Sequence, residues 1–412
     1  MAKKPVAVLS RVEPLVPVVR AVDGVRHLTA RTVFSTVRRI NRGVQAVSDI
    51  GVALVARPLG PVTEAGRALE ARSPALRTVS GWADEAESAF NAVVGDFLEA
   101  RDNGLSIKMT IRHGGSDLPL RKDALAEALP RASGKICVFV HGLACSDSIW
   151  GDRDEAAGGA RGFGAQLETE LGFTALYVRY NTGLHVSQNG RALARLLDQV
   201  LKVYPVDVTQ LVLVGHSMGG LVARSAAHYA KALELPWLPK LSHLMCIASP
   251  HFGAPLERAG SMISTVLSLF DTAATSVTRK VLDGRSVGIK DLRDGSVLDD
   301  DWMQDDAEAF ARDASKHAPF VEGVVYGYVA SHVHIGTPGM IGELVGDLLV
   351  HLPSATGKHR DVTRHLPFHM GHVIEGSHHL ALPTHPAVYE QIKLFVTTPY
   401  GAVEAKRLPE RV

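Results

Sequence analysis

Cysteine is scarce in this 412-residue sequence: Cys137, Cys145 and Cys246 are the only three. So small and odd a number excludes the dense disulfide framework of a small secreted domain and reads instead as reduced, buried thiols. A charge excess is missing as well. Lys and Arg number 44 against 43 Asp and Glu, which argues against a nucleic-acid-binding protein, whose binding face shows as a basic surplus. Nor is there a long hydrophobic run of the kind that spans a membrane as a helix. The start, MAKKPVAVLSRVEPLVPVVR, has a basic tip, but Arg11, Glu13 and nearby prolines interrupt its apolar stretch before the core of a secretory signal can form. These gaps set the expectation of a soluble, cytoplasmic protein, with peripheral membrane contact left open.

Charge is present but unevenly placed. Residues 1–60 hold ten Lys or Arg against Glu13, Asp23 and Asp49, a net +7, and the remainder carries −6. Within 18–56, apolar residues recur at three- and four-residue spacing with arginines between them, the pattern of an amphipathic helix. A second helical stretch is predicted from about Ser80 to the helix-ending pair Asn103-Gly104. Residues 1–104 therefore read as a helical N-terminal region. Such basic helices suit a membrane surface, but packing on the main body with the arginines in solvent is the expectation.

From Ser106 the texture changes: SIKMTIRH alternates like an exposed strand, and short apolar runs separated by helix-like segments follow. The runs are KICVFVHG, TALYVRYNTG, QLVLVGHS, LSHLMCIASP, VEGVVYGYVA and GHVIEGSHH. Buried runs alternating with helices imply a mostly parallel, doubly wound sheet with helices on both faces. This body is placed at 105–400, with 401–412 as a tail. About seventy residues separate IASPHFGAPLER from VEGVVYGYVA, far more than an ordinary connection. Residues 251–318 are therefore assigned to a lid or insertion, and its apolar stretch SMISTVLSLF, 261–270, suits a cover for a lipophilic pocket.

The stretch LVLVGHSMGGLVARSAAHYA, 211–230, drives a strand directly into a helix through Gly215-His216-Ser217-Met218-Gly219-Gly220. A turn that sharp strains its central residue, and flanking glycines keep side chains off the neighbouring strand and helix. Its use is to project the Ser217 hydroxyl from the sheet with a helix N-terminus behind it. A serine nucleophile needs a base, a group that orients the base, and oxyanion donors. VFVHGLACS, 138–146, ends a strand at His141-Gly142, so the backbone N–H of Leu143 is expected to meet that of Met218 around one oxyanion. His141 reads as a loop-shaping residue and Cys145 as packing.

Ser217 in GHSMGG, with HGL before it and IASPHFGAP after it, resembles the α/β-hydrolase superfamily, within it the bacterial lipases and GPI-inositol-deacylase-like serine esterases. The resemblance spans about 106–400 and implies the chain order serine, acid, histidine. Ten of the 19 histidines lie between His332 and His385. The family's histidine directly precedes a leucine, which His379-Leu380 matches; His378 is its nearest rival, and His385 before Pro386 reads as a helix start. The family's acid segment resembles ELVGDLLVHLPSATG, with Leu348 where glycine is usual, and implies Asp347. Asp291 and Asp294, read as a solvated loop, and Glu343 are the competitors. A metal site in the histidine cluster has no HExxH motif to support it.

The resemblance implies carboxylic ester hydrolysis through an acyl-enzyme, with no metal or organic cofactor and a small-molecule or lipid ester as substrate. An acyltransferase or amidase on the same fold, or a non-catalytic hydrolase-like protein that binds a membrane or partner through its basic helices, are the alternatives. Oligomeric state is not legible.

Overall fold

The computed structural model describes residues 74–151, 162–254, 286–303, 318–333, 346–347 and 349–404. The amphipathic stretch 18–56, the apolar segment 261–270 and the tail beyond 404 lie outside the described residues. In chain order come α1 (Pro74–Glu99), β1 (Thr110–His113), β2 (Ser116–Asp117), α2 (Lys122–Ala128), β3 (Lys135–Val140), α3 (Phe163–Leu171), β4 (Thr174–Arg179), α4 (Val186–Val203), β5 (Gln210–His216), α5 (Met218–Ala232), β6 (Leu241–Ile247), α6 (Val287–Asp294), β7 (Val325–His332), α7 (Leu352–Ala355), β8 (Met370–Glu375), α8 (Pro386–Thr397) and α9 (Tyr400–Glu404).

One eight-stranded sheet in the order β2-β1-β4-β3-β5-β6-β7-β8 organises these elements. β1 runs antiparallel to β2 and β4, and β4-β3-β5-β6-β7-β8 are all parallel. Alternation explains why the central strands read as unbroken apolar runs. Ile136, Val138, Val140, Leu211 and Leu213 face one core with α4 and α5, whereas Cys137, Phe139, Val212 and Val214 face a second core with α3 and α8. Each face has its own layer, so truncating one of these leucines to alanine costs about 2–5 kcal/mol. Because the six strands are parallel, β3, β5, β7 and β8 deliver their following loops to the same carboxyl edge, which is where open α/β sheets place their sites.

Two elements differ from the sequence-based expectation. The exposed strand expected over 106–113 is a two-strand hairpin, turned by Gly114 and Gly115 at φ +56° and +78°, the left-handed pair a two-residue hairpin loop needs. α1 starts at Pro74, six residues before the expected Ser80, since proline suits the first helical turn, and it ends at Glu99. Its Ala89, Ala92 and Val93 are buried in the core that backs β3 and β4. Among the described residues no helix is long and apolar enough to cross a membrane.

Candidate active site

Ser217 joins β5 to α5 at φ +55°, ψ −123°, a left-handed geometry costing a non-glycine residue about 1–3 kcal/mol. The turn has no room for side chains at its flanks. A Cβ on Gly215 would stand 2.4 Å from the Gly219 carbonyl carbon, one on Gly219 would stand 2.1 Å from the Val140 oxygen, and one on Gly220 would stand 2.0 Å from Ser249 Oγ. The Ser217 N–H donates to the Ile247 carbonyl at 2.8 Å, pinning the turn to β6. Ser217 itself is only 6 % exposed.

The loop after β3 lies directly against this turn. A Cβ on Gly142 would come within 2.9 Å of Ser217 Cβ. His141 stacks on Tyr180 at 4.5 Å, and the Tyr180 hydroxyl donates to its carbonyl at 2.7 Å, the loop-shaping role expected of it. Burial pushes the His141 imidazole down to about 4, against a smaller upward pull from its bond to the Gly142 carbonyl. Leu143 and Met218, the expected oxyanion donors, are both buried here. Ala144 adopts φ +59°, and its N–H donates to Thr182 Oγ1 at 3.3 Å.

Asp347 and His379 meet at the same edge. His379 Nδ1 donates to Asp347 Oδ2 at 2.7 Å, with the two side chains 2 % and 1 % exposed. The carboxylate's other oxygen accepts from the Leu349 and Val350 N–H groups at 3.0 and 2.8 Å, so its own loop holds it rigidly. With Nδ1 carrying the proton, Nε2 is the bare acceptor of the neutral ring. His216, the residue before Ser217, ties this pair to the elbow: its Nε2 donates to the His379 carbonyl at 3.1 Å, and the two rings lie 4.7 Å apart. Burial, then the nearby His379, pushes the His216 imidazole well below its ordinary value. Its Nδ1 has no hydrogen-bond partner among the described residues.

Residues 131–318 match the sequence model of the PGAP1-like alpha/beta domain family, and that stretch contains both β3 with its loop and the serine turn. The eight-stranded, mostly parallel sheet that carries this turn has the α/β-hydrolase fold. Solved structures similar to this chain include the mature lipase BlEst2 of Bacillus licheniformis, at 18 % identity over 64 % of this chain and 92 % of that one, TM-score 0.40. The lin2722 gene product of Listeria innocua is 14 % identical over 64 % and 94 %, TM-score 0.37. Naproxen esterase of Bacillus subtilis is 13 % identical over 63 % and 83 %, TM-score 0.34. A comparison with curated protein sequences finds no match.

Within this fold the rival residues fall elsewhere. His378 is exposed, whereas its neighbour His379 carries the carboxylate bond. Asp291 is not in a solvated loop. It is buried on α6, accepts from His185 Nδ1 at 3.0 Å and from the Val186 N–H at 2.8 Å, and burial raises its carboxyl. Asp294 is at the surface beside Arg293, and Glu343 lies outside the described residues. Burial pushes the Cys145 thiol up to about 12, so it does not ionise readily near neutral pH. His385 caps α8 through the Ala387 N–H, as its position before proline suggests. Among the described residues no three His, Cys, Asp or Glu stand together as metal ligands would.

Sequence reasoning missed two features of the site. His216 reads only as the variable residue of the GxSxG pattern, and nothing in the sequence marks its reach to a carbonyl 163 residues away. Arg112 sits in β1, one strand in from the edge of the sheet, and its guanidinium is buried against Asp147, just beyond the β3 loop, at 2.6 Å.

Proposed function

We propose that this protein is a serine hydrolase of carboxylic esters, with Ser217 as nucleophile, His379 as base, Asp347 as the orienting acid and the Leu143 and Met218 amides as oxyanion donors. His379 Nε2 takes the Ser217 proton as the hydroxyl attacks the ester carbonyl. The oxyanion of the tetrahedral intermediate forms against the two amides. Collapse breaks the bond to the alcohol, which leaves with the proton from His379. Water, activated by the same imidazole, then adds to the acyl-enzyme and releases the acid. What supports this reading most is the buried Asp347–His379 bond at the edge that also presents the strained Ser217. The apolar stretch 261–270 favours lipophilic acyl esters over small charged ones, and the chemistry calls for no cofactor.

The test is turnover of p-nitrophenyl acyl esters together with labelling by a serine-directed phosphonate. Ser217→Ala is expected to fold normally and lose about three or more orders of magnitude in kcat. His379→Ala is expected to cost about as much, whereas the exposed His378→Ala costs little, because members of one catalytic unit fail together. Asp347→Asn favours the wrong tautomer and lowers turnover severely. Full activity in Ser217→Ala moves the nucleophile elsewhere and ends this reading.

A further inference from the structure

The helix that precedes the α/β body is fastened to the connections that frame the site. At one end, Arg112 Nη1 bridges Asp84 of α1 at 3.1 Å and Asp147 at 2.6 Å, while its Nη2 donates to the Gly115 carbonyl at 2.6 Å. Asp117, directly across the β1–β2 hairpin, completes the cluster at 3.2 Å. Arg179, at the end of β4, pairs with Asp84 at 3.4 Å and with Glu87. Ser148 Oγ donates to Glu85 at 3.2 Å and lies 2.7 Å from Ser146 Oγ, which caps the 147–150 turn by accepting the Ser148 N–H. At the other end, Asn181 Nδ2 donates to the Gly95 carbonyl at 3.0 Å, Ser286 Oγ to the Ala92 carbonyl at 2.6 Å, and the Val287 N–H to Asp96 at 3.0 Å.

Asp147 and Ser148 follow at once on the loop that carries Leu143 and the left-handed Ala144. Their turn packs on the 379–384 turn that begins with His379. Strained backbone persists only where its surroundings over-determine it. Here the outside constraint comes from side chains of α1 acting through a guanidinium that is 9 % exposed. Burial alone would weaken the charge on Arg112, but Asp147, Asp84 and Asp117 outweigh it and hold the group above its ordinary value.

We propose that Arg112, with Asp84 and Glu85 of α1, is a positioning device for the 141–146 loop, so that turnover at Ser217 depends on a helix outside the α/β body. The inference rests on the reading of Ser217 as nucleophile and Leu143 as oxyanion donor. A donor displaced by about 1 Å from a developing oxyanion costs up to about a hundredfold in rate and leaves ground-state binding nearly unchanged. Displacing α1 therefore slows the chemical step first, which makes the N-terminal region a handle on activity.

The test uses the full-length chain. Asp84→Asn and Glu85→Gln alter only partly buried side chains, and Arg112→Met and Arg112→Lys probe the hub. The measurements are kcat and KM on a p-nitrophenyl ester, hydrogen exchange of residues 141–150, and the melting temperature. The Asp84→Asn/Glu85→Gln protein is expected to stay folded, to exchange faster over 141–150, and to lose about ten- to a hundredfold in kcat with KM within about threefold. Arg112→Lys keeps the charge but not the fork and falls between wild type and Arg112→Met. Unchanged exchange and unchanged kcat in a folded double variant overturn the inference, as does a kcat loss that only tracks the unfolded fraction. A wild-type protein that turns over no ester and takes no phosphonate sinks the hydrolase reading instead, and exchange alone then decides whether α1 holds the loop.

Discussion

His141 and His216 are side chains the catalytic cycle does not protonate, and both are buried without charge around Ser217. His141 titrates at about 4, while an unfolded histidine titrates near 6.5. Between those values the unfolded chain binds a proton that the folded chain refuses, so stability falls as pH drops from about 6.5 to 4. For His141 alone the loss amounts to about 3 kcal/mol, and His216 adds in the same direction. Urea midpoints measured across that range should therefore decline with acidification, and His141→Gln should show a shallower decline than wild type; parallel slopes would refute the assignment. The same two residues show why the site was only partly legible. Ser217 announces itself because strain must be written locally, in glycines. A buried histidine's role lies in carbonyls and rings brought to it by other strands, and a local pattern carries no trace of them.

Among elements, the serine turn shows how tightly sequence and backbone are matched. Gly219 lies where a Cβ would stand 2.1 Å from the Val140 oxygen and 2.6 Å from the His141 oxygen. Both are backbone atoms, so no flexible side chain can yield. Gly219→Ala must push α5 away from β3, at a cost of about 1–3 kcal/mol or more, and the shift falls between the two expected oxyanion donors. Gly104, with no atom within 4 Å of its Cβ position, is the control. Gly104→Ala should melt within error of wild type, and Gly219→Ala should melt lower and turn over far less ester; equal melting of the two would show that the elbow tolerates a methyl group. Five of the parallel strands, β3 to β7, were legible because runs buried on both faces must be apolar almost throughout, whereas β8 is a half-exposed edge strand. The hairpin was legible only in its first strand, because β2, Ser116–Asp117, is two residues long and can display no alternation, and the Gly114-Gly115 pair that turns the chain went unread. The acid needed the resemblance, since Asp347 is held by two amides of its own loop and sits in no periodic pattern.

For the whole molecule, the question is whether the helical N-terminal region is an appendage or part of the fold. Exposed pairs on α1, such as Lys108–Glu99, contribute about 0–1 kcal/mol and decide nothing. Arg112 and Arg179 differ, because their side chains are 9 % and 16 % exposed. Stripping a carboxylate partner from a buried cation costs about 3–5 kcal/mol, set against a typical total stability of about 5–15 kcal/mol. A chain shortened to begin at Leu105 loses Asp84, Glu85 and Glu87 together with the buried Ala89, Ala92 and Val93. It should be insoluble, or melt many degrees lower, with newly exposed apolar surface. A chain beginning at Pro74 keeps every contact described for α1 and should melt well above the Leu105 chain. Residues 1–60, at net +7, carry the remaining question, since anionic lipid offers about 1 kcal/mol per basic residue that reaches its surface. If the helices expected there pack on the body, full-length protein should sediment little with anionic vesicles at physiological salt. Strong, salt-sensitive sedimentation that vanishes in the Pro74 chain would instead place them on a membrane, leaving α1 as the point where the body and that surface element join.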